Sequence, residues 1–138
     1  MKAIVKVDVV DQLRGHGIQP SAQRVAVAHY ALTTEDHPSA DEVWERVRAG
    51  FPMLSRATVY NTLNLFVEKG LLQALVIAEG RVVFDPKTER HHHFIDDETG
   101  QIHDIPWDSL EVKGINNLRG YKVRQYQVVL HGQGKGGN

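Results

Sequence analysis

Apolar residues recur at three- to four-residue intervals through the first half of the chain, and this spacing predicts short amphipathic helices. The first helix covers about Val7 to His16 and is ended by Gly17, a residue suited to a helix C-terminus. The second begins after Ser21, a suitable N-cap, and continues through the segment SAQRVAVAHYAL. Its predicted buried side consists of Val25, Ala28 and Leu32.

A third helix is predicted where Ser39 is followed by Glu42, the two polar residues of a capping box. Pro38 prevents an earlier start, because proline is unfavourable inside a helix. The predicted buried stripe consists of Val43, Trp44 and Val47. His37 lies just outside this helix, on the connection, and the residues alone favour a histidine of a surface loop.

The segment SRATVYNTLNLFVEKGLL predicts a fourth helix, capped by Ser55 and ended by Gly70. Its buried face consists of Val59, Leu63, Phe66 and Val67. A second face has small, aromatic and amide side chains and no acid, namely Ala57, Tyr60, Asn61 and Asn64. Asparagine can pair with adenine, small or aromatic groups can contact a thymine methyl, and Arg56 is placed for a phosphate. The alternative is an ordinary solvent-exposed face. The secondary structure that follows this helix helps to choose between the two interpretations.

The segment QALVIAEGRVVFD predicts two β-strands joined by a tight turn at Glu79-Gly80. Several helices followed by a two-stranded ribbon are the order of a winged helix-turn-helix. In that fold the last helix enters the major groove and the ribbon lies beside the DNA backbone. This order favours a DNA-reading role for the fourth helix.

Beyond Asp85 the segments HHHFID and QIHDI predict strands around a DETG turn. PWDSLEVKGINNL predicts a short helix that begins at Pro106. YKVRQYQVVLH predicts a final strand in which Tyr126, Val128 and Leu130 alternate with polar residues. So small a unit buries a poor core by itself, so pairing with a second copy is expected.

The predicted fold class is therefore α+β. A winged-helix DNA-binding domain covers residues 1–84, a hinge covers 85–90, and a small α/β dimerisation and metal-sensing domain covers 91–132. The Gly-rich end, residues 133–138, is predicted to be a flexible tail.

Composition narrows the chemistry. The 138 residues include no cysteine, which excludes a disulfide framework, a thiolate zinc site and a cysteine nucleophile. There is no long apolar run, so we expect no membrane span, no signal peptide and a cytoplasmic protein without a membrane partner. The net charge is −1, and residues 1–84 contain nine Lys/Arg and nine Asp/Glu. A nucleic-acid role must therefore rest on a local face.

Four of the eight histidines lie between Asp85 and Asp104. In a strand, His91 and His93 would point to one face and His92 to the other. Two imidazoles on one face, together with carboxylates, make an N/O site suited to Mn, Fe or Zn. The alternative is a polar strand with surface histidines.

These residues resemble the ferric uptake regulator family of dimeric metalloregulatory repressors. The resemblance rests on six motifs in order: GIQPSAQR, HPSADEVWERV, FPMLSRATVYNTLNLFVEKGLL, the FD that precedes the histidines, HHHF and TGQIHDI. Within the family the chain is similar to the peroxide-sensing (PerR) branch, through Asp85, Asp104 and Asn61. It is also similar to the heme-linked (Irr) branch, through the uninterrupted histidine triplet followed by Phe94.

The resemblance implies three groups of site residues. The regulatory metal site, for Mn2+ or Fe2+ with Zn2+ as an alternative, would consist of His37, Asp85, His91, His93 and Asp104. A second metal or heme site would include His92 and Glu111, although Tyr126 stands where a further histidine is usual. The DNA-contacting set would consist of Arg24, Arg56, Ala57, Thr58, Tyr60, Asn61 and Asn64.

One departure is plain. Many family members hold a structural zinc with two Cys-x-x-Cys pairs, but Asp96 and Thr99 stand where the first pair belongs and the second is missing from the tail. We therefore expect no structural zinc held by four cysteines.

The implied function is a homodimeric repressor in which metal locks the conformation that binds an A·T-rich inverted repeat. The signal would be peroxide or iron. The alternatives are a heme-responsive regulator of the same class and a small metal-dependent enzyme. A five-ligand site argues against an enzyme, because catalytic metal sites keep a position open.

Overall fold

The computed structural model of the chain describes residues 8–78 and 80–135. It divides into two compact units, Met1–Thr88 and Glu89–Asn138. The first unit is built from four helices and a two-stranded antiparallel sheet, and the second contains a three-stranded sheet. This α+β architecture, with a winged helix-turn-helix first, confirms the predicted fold class.

The first two helices begin at side-chain caps. Helix α1, Val9–Gly15, is capped by the Asp8 carboxylate, and Gly17 follows it with a φ of 76°. The predicted start at Val7 lies outside the described residues.

Helix α2, Ala22–Ala31, is capped by Ser21 as predicted. Its buried side differs in part from the prediction, because Val25 and Leu32 are only half-buried; it consists of Val27, Ala28 and Ala31.

Helix α3, Ala40–Val47, has the predicted capping box, although Trp44 of its predicted buried stripe is only half-buried. The Glu42 backbone N–H donates to Ser39 Oγ at 3.2 Å, and the Ser39 N–H donates to Glu42 Oε1 at 3.0 Å. These two bonds satisfy two of the N–H groups that a helix start leaves without partners. The first residue of the helix is thereby fixed, and with it the short connection that holds His37.

Helix α4, Arg56–Glu68, is capped by Ser55 and followed by Gly70 at a φ of 85°. Its buried face differs from the predicted one at two positions. Val67 is only half-buried, while Thr62 is buried and donates its hydroxyl to the Thr58 carbonyl at 2.7 Å. The four helices enclose one hydrophobic core, whose largest fully buried side chain is Phe66 of α4. The opposite face of α4 is exposed.

The ribbon that follows α4 consists of β1, Gln73–Ala78, and β2, Arg81–Asp85, paired antiparallel with an irregularity between Val76 and Ala78. Of the predicted turn, Glu79 lies outside the described residues and Gly80 has a φ of 75°. The order of four helices followed by a two-stranded ribbon is the order that the sequence predicts. None of the helices in the described part of the chain is long and apolar enough to cross a membrane.

The second unit has the strand order β4-β3-β5, from β3, His91–Asp96, β4, Ile102–Pro106, and β5, Val129–Gly132. Strand β4 is antiparallel to β3, and β5 is parallel to it.

Two predictions for this unit are wrong. The helix predicted from Pro106 is replaced by two single-turn 3-10 helices, Trp107–Ser109 and Ile115–Asn117, because Gly114 adopts a φ of 84° between them. The final strand, predicted over YKVRQYQVVLH, is shorter and covers only β5. Its parallel pairing with β3 begins at His93 and Val129, and β3 has only two residues before His93 with which an earlier segment could pair. Of the predicted tail, residues 133–135 have no regular secondary structure, and residues 136–138 lie outside the described residues.

Candidate functional site

His37 and Asp85 form a buried pair in the first unit. His37 Nε2 lies 3.1 Å from Asp85 Oδ2, and the two residues are only 5% and 3% exposed. The interpretation of His37 as a surface-loop histidine is therefore wrong. A buried imidazole against a buried carboxylate is a costly arrangement unless a proton or a cation lies between the two groups. Both residues belong to the predicted metal site.

The backbone brings this pair together. The Phe84 N–H donates to the Pro38 carbonyl at 2.9 Å, which ties the connection before α3 to β2, one residue before Asp85. His37 itself has a φ of 51°, a left-handed conformation that costs a residue with a side chain roughly 1–2 kcal/mol. Asp85 Oδ1 accepts the Lys87 N–H at 2.9 Å, so the other oxygen, Oδ2, faces the imidazole.

His91, His93 and Asp104 meet in the second unit. His93 pairs with Asp104 across β3 and β4, and His91 lies two residues earlier on the same face. The two rings are 4.5 Å apart, and both Nε2 atoms approach Asp104 Oδ1, at 3.3 Å for His91 and 3.7 Å for His93. The imidazoles are buried, while the carboxylate is 29% exposed. The predicted same-face arrangement is confirmed.

The tautomer of His91 is set by its surroundings. Its Nδ1 lies 2.7 Å from the Glu89 carbonyl, which can only accept a hydrogen bond. Nδ1 therefore carries a proton, and in a neutral imidazole the lone pair is on Nε2, the atom that faces Asp104. A metal-binding histidine is commonly oriented by such a hydrogen bond to its other nitrogen. The donor set of this unit, two imidazole nitrogens and a carboxylate, fits a divalent ion of the Mn, Fe or Zn type.

The residues predicted to read DNA lie on an exposed face of α4. Ala57, Asn61 and Asn64 are exposed, and Tyr60 is 44% exposed. Arg56, at the start of the helix, is also exposed. Such a face can present its side chains to base edges, as a recognition helix requires.

Two members of the predicted set have structural roles. Thr58 is half-buried, and its Oγ1 lies 2.9 Å from the hydroxyl of Ser55, the N-cap. Arg24 is half-buried and donates to the Gln19 carbonyl at 2.9 Å. Sequence reasoning missed Asp41, whose carboxylate contacts both Arg56 and Tyr60.

The ferric uptake regulator family model matches residues 15–131. The chain belongs to this family. The peroxide operon regulator of Bacillus subtilis is 32% identical over 127 residues, which cover 91% of this chain and 88% of that protein. The chain is therefore a metal-dependent transcriptional regulator, which confirms the predicted function at the level of its class.

Solved structures of the ferric uptake regulator family agree. PerR from Streptococcus pyogenes, described for peroxide sensing and gene regulation, is 29% identical with a TM-score of 0.52, and the match covers 91% of this chain and 88% of that one. The ferric uptake regulator of Pseudomonas aeruginosa with manganese has a TM-score of 0.71 over 94% of this chain and 99% of that one. At 23% identity it supports the fold alone. Nothing among these relatives favours the heme-responsive or the enzymatic alternative.

In this ferric uptake regulator family member, His92 has a structural role on the opposite face of β3. Its ring stacks on Trp107 with centroids 4.5 Å apart, and its Nδ1 accepts the Val128 N–H at 3.0 Å. Val128 immediately precedes β5, so the imidazole fixes the start of that strand. Glu111 is exposed, and no group of three metal-binding side chains within residues 8–78 and 80–135 includes His92 or Glu111.

Replacement of His92 by leucine is expected to lower the free energy of unfolding by about 1–3 kcal/mol, because the Val128 N–H loses its acceptor. Denaturant unfolding with a chelator present, followed by tryptophan fluorescence, measures this change. His103 is exposed on the neighbouring strand, so His103→Leu is the matched control and should change stability by about 0.5 kcal/mol or less. Unchanged stability of His92→Leu, together with the loss of one bound metal equivalent, would instead make His92 a ligand.

Proposed function

We propose that this protein is a peroxide-responsive repressor whose regulatory metal ion is bound by His37 and Asp85 together with His91, His93 and Asp104. The observation that carries the proposal is the same in each unit: a buried imidazole presents Nε2 to a carboxylate oxygen. These groups repel one another as lone-pair donors when neither carries a proton, and a divalent cation relieves that repulsion. The absence of cysteine leaves nitrogen and oxygen as the donors of the site.

The proposed ligands come from both units, and this distribution supplies the regulation. A shared ion restricts how the winged helix-turn-helix is held, and in a homodimer that restriction sets the spacing of the two α4 helices. An inverted repeat requires such a spacing, because its half-sites are separated by helical turns of DNA. Metal binding and DNA binding then strengthen each other by the same factor. We propose an A·T-rich repeat, because Asn61 and Asn64 suit adenine. The proposed site of action is the cytoplasm.

The proposed signal is hydrogen peroxide with Fe(II) as the sensing ion. Fe(II) held by these residues would supply the reactivity toward peroxide that Mn(II) lacks. One oxygen atom of the peroxide would be added to a ligand imidazole, and the other would leave as water. An imidazole so modified loses its donor geometry, so the ligands of the first unit and those of the second are no longer held together and the repressor leaves the DNA.

The test is fluorescence anisotropy with a labelled duplex that carries an A·T-rich inverted repeat. Binding is measured with a chelator, with Mn(II), and with Fe(II) before and after peroxide. We expect tight binding only with metal, and its loss after peroxide with Fe(II) but not with Mn(II). Mass spectrometry should place the added oxygen on a peptide that contains His37, or on the one that contains His91 and His93.

Three outcomes would contradict the proposal. Equal binding with chelator and with metal would remove the regulatory role of the ion. Equal loss after peroxide with Mn(II) would show that the damage lies outside the site. Metal-independent binding that heme relieves would identify the heme-responsive alternative.

A further inference from the structure

Asp41 lies in the first turn of α3 and contacts two predicted DNA-binding residues of α4. The Tyr60 hydroxyl donates to Asp41 Oδ1 at 3.3 Å, and Arg56 Nη1 lies 3.8 Å from the same oxygen. Two side chains of the reading helix thus share one carboxylate oxygen of the preceding helix. The sequence pattern indicates only that Asp41 belongs to a helix, and it does not indicate a contact with α4.

Trp44 holds the Arg56 guanidinium from another direction. The guanidinium carbon lies 4.5 Å from the centre of the Trp44 ring, a cation–π distance. The ring is itself fixed, because its Nε1–H donates to the Leu54 carbonyl at 2.9 Å. Arg48 also stacks on this ring at 4.3 Å. Arg56 is therefore positioned by the indole ring of Trp44 and by the Asp41 carboxylate.

The charge of Asp41 is unfavourable for DNA, because it lies beside the reading face and repels phosphate. The side chains of Asp41 and Arg56 are 54% and 60% exposed, so water screens their attraction and a phosphate can displace the carboxylate. The bond to Tyr60 is different, because it holds the hydroxyl of a partly exposed aromatic ring against the Asp41 carboxylate. The pKa of Tyr60 is raised by partial desolvation, by the charge of Asp41 and by this hydrogen bond.

We propose that Asp41 is a specificity-determining residue that orients Tyr60 for base contact and, through its charge, weakens the attraction of Arg56 for DNA phosphates of any sequence. The inference rests on the proposed function, because it takes α4 as the DNA-reading helix. Its two parts depend on different properties of one side chain. The hydrogen-bond acceptor fixes Tyr60, and the negative charge weakens the attraction of Arg56 for the backbone of any sequence.

The two parts of the proposal predict different effects for two substitutions of Asp41. Asp41→Asn keeps an acceptor oxygen but removes the charge, so affinity should rise about two- to fivefold for the inverted repeat and a random duplex alike. The ratio of the two affinities should stay nearly the same. Asp41→Ala removes both properties, so the affinity for random DNA should rise while the ratio falls roughly three- to tenfold. Tyr60→Phe should lower the ratio comparably, and combining it with Asp41→Ala should lower it no further.

The experiment measures these dissociation constants by anisotropy for the full-length, metal-loaded protein. Glu45→Ala is the matched control, because it removes an exposed carboxylate from the same helix, one that pairs with Arg48 at 3.8 Å, and it should leave the ratio unchanged. A ratio that Asp41→Ala does not change overturns the inference. Effects of Asp41→Ala and Tyr60→Phe that add as independent changes also overturn it.

A measurement without DNA separates this inference from the proposed function. NMR titration of ring-labelled tyrosine should show that Asp41→Ala lowers the pKa of Tyr60, because the carboxylate charge and the hydrogen bond that raise it are gone. Glu45→Ala should leave that pKa in place. A Tyr60 pKa that does not respond to Asp41→Ala contradicts the inference. Failure of the wild type to bind the repeat in every metal condition contradicts the proposed function instead.

Discussion

Replacement of His37 by alanine is expected to abolish metal-dependent DNA binding and to weaken metal binding roughly 100-fold or more. Loss of a residue that merely supports a ligand commonly costs 10- to 100-fold in metal affinity, and loss of a ligand should cost no less. Asp85 would then be left as a buried carboxylate without its imidazole neighbour. Isothermal titration with Mn(II), followed by anisotropy on the inverted repeat, measures both effects.

The backbone at His37 requires a second variant. Because its φ is 51°, alanine is strained at this position, and a loss of function could reflect local unfolding. Asparagine tolerates the left-handed region better than most residues and removes the imidazole. His37→Asn should therefore keep the unfolding midpoint near that of the wild type while losing the metal response. His29→Ala, which replaces an exposed histidine of α2, is the matched control and should retain both.

A particular result would remove His37 from the site. If His37→Asn folds and retains the wild-type metal response, the ion is bound by the second unit alone. His93→Ala should then abolish metal binding, while Asp85→Asn should leave it intact. His93 and Asp85 are both almost fully buried, so the two substitutions are matched in the burial of the side chain that they change.

The caps and the periodicity of the first unit were predictable because they depend on residues close in sequence. Ser21, Ser39 and Ser55 each accept a backbone N–H three residues later, a contact that the chain makes locally. The face of α4 that holds Phe66 was equally predictable, because burial follows the helical period. The histidine faces of β3 follow in the same way from the two-residue period of a strand.

The burial of His37 was not predictable from the residues around it. It depends on the hydrogen bond between Phe84 and Pro38, which joins two segments far apart in sequence. Only the family resemblance indicated a special role for His37. The contacts of Asp41 with Arg56 and Tyr60 are likewise long-range, so no local pattern marks that residue.

The errors in the second unit have a different cause. Its alternating segment from Tyr121 to His131 has the period of a strand, but a strand also needs a partner. The pairing of β3 with β5 begins at His93, and only two residues of β3 precede that position. The His92 imidazole accepts the Val128 N–H there, in place of a neighbouring strand. Periodicity records which residues could pair, and the length of the partner decides which do.

Replacement of Phe66 by alanine is expected to lower the free energy of unfolding of the first unit by about 3–5 kcal/mol. Phe66 is fully buried in the core that α4 shares with the other helices, and alanine leaves a cavity there. Because a domain is stable by only about 5–15 kcal/mol, this loss makes the winged helix-turn-helix marginal. Circular dichroism during denaturant unfolding measures it, and DNA binding by the metal-loaded protein should fall as well.

Asn61→Ala is the control on the opposite face of the same helix. Asn61 is exposed, so this change should alter the free energy of unfolding by about 0.5 kcal/mol or less. It should nevertheless reduce discrimination at one base pair by about 1–3 kcal/mol, the usual contribution of a bidentate contact. If Asn61→Ala binds the inverted repeat and its mismatched variants as the wild type does, the reading face of α4 lies elsewhere. If Phe66→Ala keeps wild-type stability, the core of the first unit is not organised around this helix.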